Sequence, residues 1–303
     1  MTGKAKIILS GASGLVGVHL LRAFSRQARP TVQLVRKSPS GAGQIVWEPK
    51  SAVPVADLGA LEEADAAFHL SGANLAAHRW TAQYKQEIAA SRIETTQALI
   101  RVFRQLQRPP RVLLCASATG FYGDRGDEVV TETFPQGKGF LPAICAGWEA
   151  AAAAARELGM RVVHLRFGVV LSPEGGALAK MLPIFHKGLG GRLGSGRQWM
   201  SWIALSDTVR AIEFLAAQEA DGPYNLVAPY QVMNADFTRV LGRVLHRPTI
   251  LPAPTFALRL AIGEMADEAL LASTRALPQH LLKAGFRFDF PELEPALRAM
   301  LLR

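Results

Sequence analysis

Gly11-Ala12-Ser13-Gly14-Leu15-Val16-Gly17 lies between a β-branched apolar run, Ile7-Ile8-Leu9, and a segment with helical apolar spacing, Val18-His19-Leu20-Leu21-Arg22-Ala23-Phe24. The order is therefore strand, glycine turn, helix. Such a turn directs backbone N–H groups and the positive end of the helix dipole at one point, which suits a pyrophosphate. Gly11 permits the tight turn, Gly14 lets a phosphate approach the backbone, and Gly17 lets helix and strand pack closely. The expectation is a dinucleotide site at the first strand of the chain.

The next strand predicted is Thr31-Val32-Gln33-Leu34-Val35, which alternates and is β-branched. A site for NAD places an acid near the end of this strand, about twenty residues beyond the turn, to bind the ribose hydroxyls. Here the strand runs into Arg36-Lys37-Ser38. A carboxylate would repel a 2′-phosphate, whereas a guanidinium and an ammonium attract one and can pair with it. The cofactor expected is NADP.

The chain has 303 residues, 49% of them hydrophobic and 19% charged, with a formal charge of +9. A basic balance favours anionic partners. No run of five Lys/Arg and no basic-aromatic interleaving occurs, so nucleic acid is not expected and a small anionic substrate is. Cys115 and Cys145 stand in apolar or small surroundings without metal-ligand spacing, as buried thiols in a reducing compartment do. The seven His are dispersed and point to no metal. Lys4 and Lys6 ahead of Ile7–Leu21 imitate a leader peptide, but Ser10, Ser13 and His19 interrupt that stretch and its glycines fit the nucleotide pattern. With no apolar run of membrane-spanning length, a cytoplasmic protein is expected, as a monomer or homodimer.

Strands and helices alternate through about residue 170: a short edge strand at Ile45-Val46-Trp47, a strand over 64–70, one long helix over 81–106, and a strand over 111–115. An alanine-rich helix over 143–158 and a strand over 161–170 follow. This predicts an α/β fold, a Rossmann-type doubly wound parallel sheet with a smaller, mostly C-terminal substrate lobe. The cofactor domain is expected over 1–171 with 203–227 returning to it. The lobe takes 172–202, which is glycine-dense and loop-like, and 228–303. His69 lies inside a strand and reads as a core or crevice histidine, and Asp207 as a helix cap or first-turn acid.

Several stretches together resemble the extended short-chain dehydrogenases/reductases, and more narrowly the atypical group called NAD-dependent epimerase/dehydratase-like or sugar-nucleotide-epimerase-like proteins. They are Gly11–Gly17, His69-Leu70-Ser71-Gly72-Ala73-Asn74, Arg79-Trp80, Ser91–Thr96, Ser117–Gly123, Arg166–Leu171, Gly194–Trp202 and Lys283–Phe288. The resemblance spans nearly the whole chain. It implies cofactor contacts from the glycine turn (Gly11, Ser13, Gly14, Leu15, Val16, Gly17), from Arg36 and Lys37, from Leu70, Ser71 and Gly72, and from Glu87, Arg92 and Val169. For Glu87 and Arg92, an ion pair on a helix surface is an equal alternative.

Active members of the wider group use a Ser or Thr to polarise the reacting oxygen and a Tyr as acid/base. A Lys one turn later lowers the pKa of that Tyr. Ser117 and Thr119 supply the hydroxyl end, with Thr119 assigned to substrate. The Tyr-x-x-x-Lys pair is missing: residues 137–160 hold one Lys, Lys138, and no Tyr, and Cys145 stands about where the Lys belongs. Tyr122, Cys145 or a water remain as proton carriers, with Tyr122 the leading one. Arg197 and Trp199, on the glycine-rich loop, are the substrate-binding candidates, as an anion clamp and a stacking ring. No Gly-x-Ser-x-Gly elbow supports hydrolysis. Two readings follow: an NADP(H)-dependent oxidoreductase or epimerase, or an NADP(H)-binding redox sensor or regulatory partner without turnover.

Overall fold

The computed structural model describes residues 5–302, so Lys4, weighed above as part of a leader-like start, lies outside the described residues. The chain opens with β1 (Ile7–Ser10), α1 (Leu15–Arg26), β2 (Thr31–Val35), β3 (Gln44–Val46) and β4 (Ala66–His69). Two helices then stand where one was expected, α2 (Ala82–Ala90) and α3 (Ile93–Phe103). The break has a side-chain cause. Ser91 Oγ donates to Ile88 O (3.0 Å) and accepts from the Ala73 N–H (3.0 Å), while Arg92 turns back to Ile88 O (3.1 Å). These bonds tie the end of α2 to the loop after β4 and interrupt the helix before α3 begins.

Then come β5 (Val112–Ala118), a 3-10 turn at Thr119–Tyr122, β6 (Val129–Val130), α4 (Phe140–Ala153), β7 (Arg161–Phe167) and β8 (Val169–Leu171). The strand expected over 161–170 divides at Gly168, where a Cβ would stand 2.5 Å from Ser201 O. The stretch expected as loop, 172–202, contains α5 (Gly176–His186) and β9 (Trp199–Met200). Its apolar residues outweighed the glycines: Leu178 and Phe185 are buried and hold α5 in place despite Pro183. The chain closes with β10 (Trp202–Ala204), α6 (Leu205–Ala217), β11 (Gly222–Leu226), β12 (Val232–Met233), α7 (Asn234–Leu245), α8 (Thr255–Ile262), β13 (Arg275–Ala276), α9 (Gln279–Lys283) and α10 (Leu293–Leu301).

Seven strands form one parallel sheet in the order β3-β2-β1-β4-β5-β7-β11. Parallel strands are covered on both faces, which explains their near-continuous apolar runs. One face packs Ile8, Leu34, Phe103 and Leu113 in a core; the other packs Ile7, Leu9, Phe24 and Leu114. The order reverses between β1 and β4, so the loops after these strands diverge and leave a crevice at their carboxyl ends. A third core, with Leu178, Trp202, Phe237, Leu241 and Leu297, lies under the lobe. Trp202 anchors it, fully buried with its indole N–H on Tyr230 O (3.0 Å). Leu281 and Phe286, from beyond residue 228, pack into the sheet's own core.

Two histidines are buried inside the sheet. His69 Nδ1 lies 2.6 Å from Ser10 Oγ, Nε2 has no partner among the described residues, and burial pushes the ring down to about 3. His164 on β7 is likewise pushed down by burial, to about 4. The unfolded chain protonates both near 6.5 while the folded chain does not, so stability is full above 6.5 and drains as pH falls below it. Urea unfolding should show a loss of about 1.4 kcal/mol per pH unit per histidine below that point. His69→Asn should flatten the slope by one proton; an unchanged slope would contradict this account.

Candidate functional site

The glycine turn is built as the spacing requires. Gly11 has φ +77, and a Cβ there would sit 2.6 Å from Leu70 C. A Cβ on Gly17 would sit 2.1 Å from Gly11 O, so the helix can lie this close to the strand only with glycine. At Gly14 a Cβ would meet only Gly11 O, at 3.4 Å, which leaves the approach to the backbone open. The glycine turn before α1 thus lines a cleft of about 840 Å³.

Gly11, Ser13 and Gly14 line one side of the cleft, Leu70, Ser71 and Gly72 another, and Arg36 and Lys37 stand together in its wall past the end of β2. Neither cation has a hydrogen-bond or ion-pair partner among the described residues, so both charges are available to an anion. The remaining residues expected at the cofactor serve the walls. Leu15 packs against Gly175 and Gly176, and Val16 enters the core beside β1. Arg92 donates to Ala73 O (3.0 Å) and lies over Trp148 at 5.2 Å, shaping the loop after β4 from behind. Glu87 is exposed on α2, and Val169 is held in β8 by its N–H on Ser201 O (2.7 Å); neither lines the cleft. The sequence reading missed Ser91, Thr95, Gln44 and Trp47 as liners. The signal was there for the first two: polar residues interrupting an apolar helical pattern.

At the carboxyl end of β5 the arrangement departs from expectation. Ser117 is 2% exposed, and its hydroxyl donates to Glu149 Oε1 at 2.7 Å. Glu149 is paired through both oxygens with Arg166, at 2.8 Å each. Arg166 stacks 3.6 Å from the Phe121 ring centroid and donates to the Tyr122 hydroxyl (2.9 Å), which donates to Asn225 Oδ1 (2.7 Å). Tyr122 is fully buried, and burial pushes its hydroxyl up to about 12. The hydroxyl expected as the proton carrier is thus engaged by Arg166 and Asn225 and turned into the interior. Cys145 is buried on α4 and pushed by burial to about 12 as well, so it is a thiol, not a thiolate. Thr119, half-buried, has no side-chain hydrogen bond among the described residues. The Glu149–Arg166 pair had a sequence signal too: two charges at buried periods of an alanine-rich helix and an apolar strand.

On the glycine-rich loop, Arg197 is exposed and its side chain has no partner among the described residues, while Trp199 donates its indole N–H to Asp127 Oδ1 (3.0 Å). Asp207 is fully buried in the first turn of α6 and accepts from the N–H groups of Asp289 and Phe290, at 2.9 and 2.8 Å. The helix α4 lacks a cap of its own, since Gly139 precedes it at φ 124. Glu268 supplies one, its two oxygens accepting from Phe140 and Leu141 N–H at 3.1 Å each. Among the described residues no helix is long and apolar enough to cross a membrane, and no three His, Cys, Asp or Glu side chains gather as metal ligands would.

Residues 7–227 match the model of the NAD dependent epimerase/dehydratase family. The chain belongs to this family. Residues 253–300 match a domain of unknown function (DUF1731). An epimerase family protein of Mycobacterium bovis is 44% identical over 294 residues, covering 97% of this chain and 96% of that protein. One from Staphylococcus aureus is 36% identical over 305 residues, covering 97% and 98%. Among solved structures, a human epimerase family protein (isoform 2) determined with NADPH superposes with a TM-score of 0.87 at 29% identity, over 97% of this chain and 98% of that one. A nucleoside-diphosphate sugar epimerase of Corynebacterium glutamicum gives a TM-score of 0.78 at 33% identity, over 99% of this chain and 58% of that one. The family assignment and the parallel sheet order agree: this is an NAD(P)-binding Rossmann protein of the atypical short-chain dehydrogenase/reductase type.

Proposed function

We propose that the chain is a cytoplasmic NADP(H)-dependent oxidoreductase or epimerase acting on a small anionic molecule. The observation that carries this reading is the cleft with a glycine cradle on one wall and two unpaired cations, Arg36 and Lys37, past β2. The NADPH in the human relative supports it. Bound NADP(H) would give or take a hydride at nicotinamide C4. The glycine turn and α1 hold the pyrophosphate, and Arg36 and Lys37 hold the 2′-phosphate. Thr119 offers the unengaged hydroxyl at the end of β5, and Ser117 with Glu149 and Arg166 fixes the strand end that presents it.

A second reading, cofactor binding without turnover, is favoured by one observation: Ser117, Tyr122 and Cys145, the groups expected to carry chemistry, are all buried or engaged. Both readings require the cofactor. Denaturing the purified protein and weighing any released nucleotide by mass spectrometry tests them. NADP(H) in near-equal amount to protein is expected for an epimerase that recycles its cofactor or for a structural role. An empty protein that binds added NADPH reversibly indicates a reductase. A protein that takes up neither NADPH nor NADH overturns both.

A further inference from the structure

Two stretches of the chain hold no acid at all. Residues 175–206 contain four Lys/Arg and residues 237–263 four more, and neither stretch contains Asp or Glu, although the whole chain has 25 acids. The fold lays the two side by side. Ala253 N–H donates to Arg192 O (2.9 Å), Gly194 N–H to Ala253 O (2.8 Å), and the Arg247 guanidinium to His186 O (2.8 Å). The acids that bound the stretches are already paired: Glu174 with Arg22, Asp207 with Arg210, Asp236 with Arg239 and Glu264 with Lys85.

The same segments are apolar where they meet water. Ile184, Leu189, Ile250, Leu251, Phe256 and Leu260 are each more than half exposed, and they are six of the eleven large apolar residues exposed among the described residues. The helix α8 is the extreme case. It buries none of its eight residues, and Phe256 and Leu260, one turn apart, are 74% and 75% exposed. Single exposed apolar side chains are ordinary, whereas a concentration of them marks a surface that something covers. Lys187, Arg192 and Arg247 punctuate these segments, exposed and without a carboxylate partner among the described residues. Arg79 joins them from the loop after β4, its guanidinium donating to Leu260 O (3.3 Å).

Charge selects the occupant. A second copy of the chain would set these cations against their own kind, whereas an anionic partner gains from each. Shape narrows the choice, since α8 is a ridge with apolar side chains standing outward rather than a groove that receives a partner's helix. Apolar side chains flanked by Lys/Arg suit a lipid headgroup layer: the rings and branched chains reach the acyl boundary while the cations stay with the lipid phosphates. We propose that this face binds the surface of a bilayer containing anionic lipids, with Phe256 and Leu260 entering the headgroup layer. Such binding needs no spanning segment, and it does not rest on the cofactor reading.

Co-sedimentation of the full chain with vesicles of equal parts phosphatidylcholine and phosphatidylglycerol tests the assignment, against vesicles of phosphatidylcholine alone. The wild type should bind the mixed vesicles at least about tenfold more tightly, and raised ionic strength should weaken that binding. Phe256→Ser with Leu260→Ser should weaken it by about 100-fold or more, since burial of each large apolar side chain is worth roughly tenfold. Lys187→Glu with Arg247→Glu should weaken it by about tenfold or more. All four positions are exposed, so the thermal unfolding midpoint should not move in either double variant, which reports that both are folded. A wild type that stays in the supernatant overturns the proposal, as does equal vesicle binding by wild type and the Phe256→Ser, Leu260→Ser variant. Binding unchanged by the two charge reversals overturns the anionic part. A wild-type dimer in sedimentation velocity that the apolar variant turns into a monomer assigns the face to a second copy of the chain and overturns the lipid assignment.

Discussion

Replacing Arg36 and Lys37 together by alanine is expected to weaken NADPH binding by about 100-fold or more, since each charge-assisted contact with the 2′-phosphate is worth about tenfold or more. NADH binding should change by less than about threefold. The double variant would then bind the two cofactors almost equally. The cause is local: the two cations stand at the cleft with no carboxylate of the described residues paired with them, and only NADPH carries a 2′-phosphate to meet them. Fluorescence titration with both dinucleotides checks it. An unchanged preference for NADPH would show that the 2′-phosphate is read elsewhere, and raised ionic strength should erode the wild-type preference as screening grows.

The second large effect concerns folding. Glu149→Ala should cost about 3–5 kcal/mol in urea unfolding, because it strands the charge of Arg166 in the interior. Arg166 and Glu149 side chains are 4% and 12% exposed, so water cannot replace the lost carboxylate. Ser117 would lose its acceptor in the same step. Glu149→Gln keeps the shape and one acceptor and should cost clearly less. A loss under about 1 kcal/mol for Glu149→Ala would mean that the pair contributes little beyond its own desolvation.

The glycine turn and the cleft it lines were readable from residues because both are set at short range. A glycine turn needs glycine at fixed steps, and a basic pair needs only to follow a strand. Arg36 and Lys37 were placed from spacing alone, whereas Glu87 and Val169, carried over by resemblance, lie away from the cleft wall. The surroundings of Ser117 and Tyr122 were not readable. Ser117 and Tyr122 have the right order after β5, but which way each points depends on Glu149, Arg166 and Asn225, from 17 to 103 positions away along the chain from their partners. The split of the 81–106 helix has the same origin, since Ser91 answers to Ala73 across a loop. Local propensity for a continuous helix gave way to a contact no local pattern records.

Glu268 bears on modularity. The carboxylate that terminates α4 comes from the segment matching the domain of unknown function, while α4 itself lies in the segment matching the epimerase family. The two family matches are therefore two labels on one cooperative object, and the helix flanking the strand that carries Ser117 is finished only once the far end of the chain has arrived. Exchanging the C-terminal segment between relatives would have to deliver an acid at this place, or leave two amide groups of Phe140 and Leu141 without an acceptor at the edge of the crevice.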